Sequence, residues 1–219
     1  MLKKLSVLGI ALLSTLSLVA QETHVFENEV KELVRADSLI KHRKGIILFT
    51  GSSSIRMWTD LDKDFTGKNV LNRAFGGSTM RDLLYFANEV IVPYNPKTIF
   101  IYEGDNDLGF ANATPQQILA SADSLLTLIR TKLSPRVKVY FISAKPSIAR
   151  WHLRDRYVQF NKELQTWANS RKNVYFIDIW NKMLNADGSL RKELFIEDGL
   201  HMNRKGYDIW RDSLRPYVK

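Results

Sequence analysis

The chain has 219 residues, of which 45% are hydrophobic and 25% charged, and it contains no cysteine. This length and composition are those of one globular domain with a core of its own. The lack of cysteine excludes a thiol nucleophile and any thiolate metal site. The formal charge of +9 is dispersed, and we interpret its one dense basic run, residues 41–44, as the exposed end of a helix rather than a nucleic-acid site.

Residues 1–20 differ from the rest of the chain. Lys3 and Lys4 precede an uncharged apolar run that ends at Ala20, just before a polar segment. This pattern is typical of a secretory signal peptide, and the run is short against the roughly 20 apolar residues that a spanning helix needs. We therefore expect cleavage after Ala20, export of residues 21–219, and no stable membrane anchor after cleavage. An uncleaved anchor is the alternative.

Strand and helix patterns alternate along the remaining chain. Apolar runs predict five strands, at residues 45–50, 69–73, 98–102, 137–143 and 174–178. Helical spacing, caps and prolines predict five helices, at residues 24–44, 80–92, 114–132, 149–169 and 204–217. This alternation predicts a five-stranded parallel sheet covered on both faces, so the expected fold is a flavodoxin-like three-layer α/β/α sandwich. No linker divides it, and we expect residues 21–219 to form one domain.

The first predicted strand ends in a glycine and three serines, Gly51 to Ser54. In open parallel sheets, ligands bind outside the carboxyl ends of the strands. A helix beginning near residues 54–58 would direct its first N–H groups toward the same place. Serines after a strand are also ordinary loop and N-cap residues, so this stretch alone leaves both interpretations open.

Polar residues suited to acyl transfer follow other predicted strands. Gly77 follows the second strand and Asn106 the third, while Asp198 and His201 precede the last helix. A serine nucleophile needs a base to take its proton, and the base needs a partner that fixes its tautomer. A glycine N–H and an asparagine amide can stabilise negative charge on a carbonyl oxygen. The pattern therefore indicates a serine-dependent acyl-transfer site.

Four segments, in this order, resemble the sequence blocks of the SGNH hydrolases, also called GDSL esterases and lipases: GSSSI at residues 51–55, FGGS at 75–78, GDND at 104–107 and DGLH at 198–201. The resemblance implies that Ser53 is the nucleophile. It implies that His201 is the general base and then the acid, and that Asp198 orients it. It also implies an oxyanion hole made by the backbone N–H groups of Ser53 and Gly77 and the side-chain amide of Asn106. The family has no metal or organic cofactor, and we expect none.

One position departs from the family pattern. The first block usually has an acid between the glycine and the serine, and Ser52 stands there in this chain. With Ser52, Ser53 and Ser54 adjacent, the assignment of the nucleophile to Ser53 depends on the register of the block.

Other site types fit the sequence less well. The nucleophile elbow G-x-S-x-G fails because Ile55 occupies its last position. Neither glycine-rich nucleotide-binding motif occurs. The acidic run at residues 105–107 lacks the spacing of a calcium loop, and Asp198 and His201 lack an evident third partner for a metal site.

Several residues near the strand ends are candidates for contact with substrate. Arg56 and Asn72 are the two that we predict as substrate-binding residues. For both, and for Trp58, Tyr102 and Arg150, a packing or surface role remains open.

The sequence thus predicts an exported serine esterase that acts on a small-molecule or glycan ester, with no nucleic-acid partner. By the family resemblance, the substrate is an ester of a small acyl group. We favour O-acetyl esters of carbohydrate, since the loops between the blocks are too short for a large lid. The alternatives are a lysophospholipase or thioesterase, and a carbohydrate-binding member of the fold without catalysis, which only Ser52 favours.

Overall fold

A computed structural model of the chain describes residues 24–37 and 44–219. Residues 1–20, predicted to be a signal peptide, lie outside the described residues. The same holds for residues 38–43 of the helix predicted at residues 24–44. In the described part of that range, helix α1 spans Glu27–Asp37. None of the helices in the described ranges is long and apolar enough to cross a membrane.

Five parallel strands form one sheet, which confirms the predicted fold class. They are β1 Ile47–Gly51, β2 Val70–Asn72, β3 Thr98–Tyr102, β4 Lys138–Ile142 and β5 Val174–Ile177. Their order in the sheet is β2-β1-β3-β4-β5, and every neighbouring pair is parallel. The chain reverses its direction of travel across the sheet between β1 and β3. In such sheets this reversal leaves a ligand-binding crevice at the carboxyl ends of the two strands.

Helices cover both faces of the sheet. After α1 they are α2 Ser53–Arg56, α3 Leu61–Asp64, α4 Met80–Tyr85, α5 Ala87–Val90, α6 Asp105–Gly109, α7 Pro115–Lys132, α8 Arg154–Asn169 and α9 Arg204–Leu214. Side chains alternate between two apolar cores because successive strand residues point to opposite faces. In β3, Ile99 packs with the core formed by α1, α4, α5, α7 and α8, whereas Phe100 packs with the core under α2, α3 and α9.

The predicted helix at residues 80–92 is divided in two. Helix α4 ends at Tyr85, and the ring of the next residue, Phe86, packs edge-on against Phe75 at 5.5 Å between ring centroids. After α5 a 3-10 turn containing Pro93 leads into β3, because proline cannot donate the backbone hydrogen bond that would continue the helix.

Two other predicted helices are shorter than expected. The one predicted at residues 149–169 begins at Arg154, after a 3-10 turn over Trp151–Leu153. The last one ends at Leu214, followed by a 3-10 turn with Pro216 near its start. The first difference matters for the site, since it leaves residues 143–150 as an irregular segment at the carboxyl end of β4.

Candidate active site

Ser53 owes its position to the way β1 ends. Gly51 has a φ of +124°, and a Cβ built on it would stand 2.1 Å from the carbonyl oxygen of Tyr102 in β3. Only glycine fits this close approach of two strands. The backbone N–H of Ser52 then donates to the same carbonyl at 3.1 Å, and Ser53 opens α2 at the crevice between β1 and β3.

The three adjacent serines have different surroundings. Ser52 and Ser54 are buried, and the carbonyl of Ser54 accepts a hydrogen bond from the Tyr207 hydroxyl at 3.0 Å. Ser53 is half-buried, and its Oγ lies 2.8 Å from Nε2 of His201. Among the three, Ser53 is thus the serine whose hydroxyl contacts the imidazole.

A tight loop joins Asp198 to His201. Oδ2 of Asp198 lies 2.6 Å from Nδ1 of His201, while its Oδ1 accepts the backbone N–H groups of Leu200 and His201 at 2.8 Å each. The tautomer that satisfies both ring contacts carries its proton on Nδ1. It leaves Nε2 to accept from the Ser53 hydroxyl, as a general base requires.

The Asp198 carboxylate is held in its charged form. Partial burial acts to raise its pKa, but the hydrogen bonds from the His201 ring and from two backbone N–H groups outweigh that effect, so the pKa lies below its ordinary value. Asp198 is therefore ionised at neutral pH, and it would stabilise the imidazolium that forms when His201 takes a proton.

Three hydrogen-bond donors lie at the carboxyl ends of β1, β2 and β3. The backbone N–H groups of Ser53 and Gly77 have no acceptor among the described residues. Nδ2 of Asn106 donates to the Ser78 carbonyl at 3.0 Å, and it would stand 3.7 Å from a Cβ built on Gly77. Nδ2 of Asn106 therefore lies beside Gly77, which is the arrangement that an oxyanion hole needs.

The loop that carries Asn106 is tied to α4. Gly104 has a φ of +105° and precedes α6. Asp107 accepts the backbone N–H of Gly104 at 3.0 Å and that of Met80, the first residue of α4, at 3.1 Å. Burial raises the pKa of Asp107 to about 6, against the lowering effect of these hydrogen bonds. The Asp107 carboxyl thus fixes the segment that carries Asn106 relative to the segment that carries Gly77.

A family model described as the GDSL-like lipase/acylhydrolase family matches residues 37–209. The chain belongs to the GDSL-like lipase/acylhydrolase family. This confirms the resemblance predicted from the four sequence blocks, and it places the activity in the class of ester hydrolysis. A comparison with curated proteins finds no match.

Solved structures share the fold of this GDSL-like acylhydrolase. A protein from Streptococcus pneumonia, provisionally assigned as a platelet activating factor, is 22% identical with a TM-score of 0.78, over 88% of this chain and 92% of that one. A GDSL-like lipase from Bacteroides thetaiotaomicron is 18% identical with a TM-score of 0.71, over 86% and 96%. A catalytic mutant of an acetylxylan esterase from Geobacillus stearothermophilus is 16% identical with a TM-score of 0.64, over 80% and 94%.

Two residues of this GDSL-like acylhydrolase were predicted to bind substrate, Arg56 and Asn72. Both line a surface cavity of about 410 Å³ beside α2. The Asn72 side chain also joins β2 to α2, since its Nδ2 donates to the Ile55 carbonyl at 2.6 Å and its Oδ1 accepts the Ala74 N–H at 3.1 Å. The Arg56 guanidinium is half-exposed, with its Nε 3.6 Å from Glu29. Their roles in binding stay predictions.

Two other candidates of the sequence analysis, Trp58 and Tyr102, belong to the interior. Trp58 is buried and packs against Trp210, and the Tyr102 hydroxyl donates to the buried Asp105 at 2.8 Å. Arg150 contacts Asp105 and Asn106. Sequence reasoning missed the importance of Asp105, which directly precedes Asn106 and is surrounded by cations. The available signal was the charged residue itself, in the GDND block that follows the apolar third strand.

Proposed function

We propose that this acylhydrolase is an exported serine esterase that hydrolyses carboxylic esters through an acyl-Ser53 intermediate. The observation that carries the proposal is the pair of contacts linking Asp198 to His201 at 2.6 Å and His201 to Ser53 at 2.8 Å. An oriented base within hydrogen-bond distance makes a serine hydroxyl a competent nucleophile.

In the acylation half-reaction, Oγ of Ser53 attacks the ester carbonyl carbon while Nε2 of His201 takes the hydroxyl proton. The carbonyl oxygen becomes an oxyanion that accepts hydrogen bonds from the N–H groups of Ser53 and Gly77 and from Asn106. When the tetrahedral intermediate collapses, its bond to the leaving oxygen breaks. The alcohol departs with the proton that His201 returns.

Deacylation uses the same groups with water in place of the alcohol. Nε2 of His201 takes a proton from water, whose oxygen attacks the acyl carbon. Collapse of the second intermediate releases the carboxylic acid, and the proton on His201 returns to Oγ of Ser53. The imidazole must therefore be neutral at the start of both stages to act as the base.

Short O-acyl esters of carbohydrate are the substrates that we favour. The Asp198 side chain is 43% and the His201 side chain 19% exposed, which is compatible with a bulky alcohol such as a glycan. The acetylxylan esterase from Geobacillus stearothermophilus shares the fold. The signal-peptide pattern of residues 1–20 supports export.

A lipid-type acylhydrolase is the second candidate, and exposed apolar side chains favour it. Phe110 directly follows α6 and is 77% exposed. Ile148 lies against Gly199 in the loop that joins Asp198 to His201, here called the histidine loop. Ile196 precedes this loop, and both isoleucines are partly exposed. These side chains offer apolar surface to a longer acyl chain near the site.

The test is hydrolysis of nitrophenyl acetate and nitrophenyl octanoate by the mature protein and two variants. Ser53→Ala removes the nucleophile, and we expect at least about a 10³-fold loss of kcat. Ser52→Ala is the matched control, and we expect it to retain activity within about threefold, since its hydroxyl has no role in the reaction.

The outcomes separate the candidates. Faster acetate hydrolysis supports the short-acyl proposal, whereas faster octanoate hydrolysis supports the lipid-type candidate. Equal rates for the wild type and Ser53→Ala would remove the esterase proposal and leave a carbohydrate-binding protein. For export, N-terminal sequencing of protein recovered outside the cytoplasm should begin at Gln21.

A further inference from the structure

A buried ion cluster lies beneath the candidate oxyanion hole. The Asp105 carboxylate contacts Nζ of Lys145 at 3.1 Å and Nη1 of Arg150 at 2.5 Å. It also accepts the hydroxyls of Tyr102 at 2.8 Å and Tyr157 at 2.7 Å. The Lys145 side chain is fully buried and the Asp105 side chain is 5% exposed, so the cluster is inside the protein and not on its surface.

The Asp105 carboxylate keeps its charge in spite of burial, whereas burial lowers the pKa of Lys145 against the raising effect of Asp105. Burial acts to raise the pKa of Asp105, but the charges of Lys145 and Arg150 and the tyrosine hydroxyls hold the pKa well below its ordinary value. Buried ion pairs contribute little net stability compared with well-packed apolar side chains. Stability alone therefore does not account for this cluster.

Arg150 extends from the cluster to the oxyanion hole. Its Nη2 donates to Oδ1 of Asn106 at 2.9 Å, and its Nη1 also donates to the Asp105 carbonyl at 2.9 Å. A guanidinium has donors only, so it can face only the oxygen end of the Asn106 amide. The nitrogen end must then point the other way, toward Gly77 and the carbonyl of Ser78.

The Arg150 side chain has a defined course across α6. A Cβ built on Gly109 would stand 2.6 Å from Cδ of Arg150, so the missing side chain at Gly109 leaves the room in which Arg150 lies. The same segment contacts the histidine loop, since the Ala149 N–H donates to the Gly199 carbonyl at 3.0 Å. Nζ of Lys145 donates to the Leu200 carbonyl at 2.7 Å.

We propose that Arg150 is a positioning residue that fixes the Asn106 amide with its N–H group directed into the oxyanion hole. This inference rests on the proposed function, because the oxyanion forms only during ester hydrolysis. Arg150 does not touch the substrate. It acts through Asn106, and Asp105 holds its guanidinium in place.

Two variants test this role in different ways. Arg150→Met removes the guanidinium, whereas Gly109→Ala keeps every charge and displaces the guanidinium with one methyl group. We expect each to lower kcat about tenfold, with KM within about twofold of the wild type, because a misplaced donor weakens only the transition state. The matched control is Arg154→Met, which removes an exposed arginine at the start of α8 and should leave kcat unchanged.

A double-mutant cycle with Asn106→Ala separates positioning from general structural support. Asn106→Ala alone should lower kcat about 10²-fold. If Arg150 acts through Asn106, then adding Arg150→Met or Gly109→Ala to Asn106→Ala changes kcat by less than about twofold. The thermal midpoint of each variant is measured alongside, and if Arg150→Met does not fold, the cycle with Gly109→Ala decides.

Multiplicative losses in the double variants would overturn the proposal, as would wild-type kcat in Gly109→Ala. Either result counts against the role of Arg150 only if the wild type hydrolyses esters and the Ser53→Ala variant does not. A wild type as inactive as Ser53→Ala would instead end the proposed function, and the role of Arg150 with it.

Discussion

The orientation of the His201 ring depends on one carboxylate. Asp198 accepts from the ring and from two backbone N–H groups of its own loop, so the loop and the ring tautomer are fixed together. The hydroxyl that the ring contacts is set independently by the end of β1. The site therefore needs both loops in place at once, which makes the contact between Ser53 and His201 sensitive to small changes in either.

Replacing Asp198 with asparagine tests the role of its charge. Asn keeps the shape and can still accept the backbone N–H groups, but its amide does not stabilise the imidazolium or select the Nδ1–H tautomer. We expect kcat to fall by roughly 10²–10⁴-fold with little change in KM. Steady-state kinetics on an acetyl ester measures this, and a kcat within threefold of the wild type would show that Asp198 does not orient the base.

The residues of the site differ in how far the sequence could predict them. Ser53 could be predicted because its block follows a predicted strand, and Asp198 and His201 because their block precedes the last predicted helix and resembles that of the family. The contact of Arg150 with Asn106 could not, because it joins residues 44 positions apart through side-chain directions that no spacing rule provides. Lys145 is also hidden from sequence reasoning, since a lysine after a strand is ordinarily exposed.

At the scale of elements, the ends of the strands decide the geometry. The strands were predictable because continuous apolar runs are typical of buried parallel strands. The short helices α2, α3 and α6 were not predicted with bounds, because helices of four or five residues carry no periodicity. No glycine or proline marks the break at Phe86 in the sequence, and the Phe86 ring packs against Phe75 there.

Gly51→Ala tests the junction between β1 and α2. The added Cβ would overlap the backbone of Tyr102, which cannot move without breaking the sheet, and its φ of +124° is strained for alanine. We expect a loss of more than about 4 kcal/mol in the free energy of unfolding, or failure to fold.

Gly67→Ala is the matched control for Gly51→Ala. Gly67 also has a positive φ, +80°, but nothing lies within 4 Å of its added Cβ. It should lose only about 1–2 kcal/mol. Urea unfolding measures both variants, and equal losses would contradict the steric account of the strand end.

Glu103, at the end of β3, makes a pH-dependent contribution to stability. Burial and the nearby Asp107 raise its pKa well above the ordinary value, and Ser78 donates to its Oε1 at 2.7 Å. The folded chain thus keeps this proton at a pH where the unfolded chain, with a pKa of about 4.3, has lost it. The contribution is full below about pH 4.3 and is lost as the pH rises toward the folded value.

Glu103→Gln removes this titration. The free energy of unfolding of the variant minus that of the wild type should therefore increase between pH 4.5 and pH 8, by at most about 1.4 kcal/mol per pH unit. Urea unfolding across that range measures the difference. A difference that does not change with pH would show that Glu103 titrates normally in the folded protein.

At the scale of the whole molecule, α1 joins the N-terminal part of the described chain to the site. Glu29 accepts the backbone N–H of Gly76 at 2.9 Å, one residue before Gly77. The far end of α1 is held by Asp37, which pairs with the buried Arg73 directly after β2 and accepts from the Tyr94 hydroxyl. Docking of α1 therefore supports the segment that carries Gly77.

Asp37→Asn tests this anchor. It leaves the Arg73 guanidinium buried without its counter-charge, and we expect a loss of about 3–5 kcal/mol in the free energy of unfolding. Glu32→Gln, an exposed site on the same helix, should change it by less than about 0.5 kcal/mol. Hydrogen exchange should show faster exchange in α1 for Asp37→Asn alone, and similar losses for both variants would contradict a buried anchor.

We propose that four segments at the carboxyl ends of the sheet make Ser53 a nucleophile with His201 as its base. The most direct measurement is reaction with a fluorophosphonate, followed by mass spectrometry of the labelled peptide, in the wild type and in His201→Ala. We predict labelling of Ser53 in the wild type and none above background in His201→Ala. Labelling of Ser52 or Ser54 in place of Ser53, or equal labelling without the imidazole, would contradict the account.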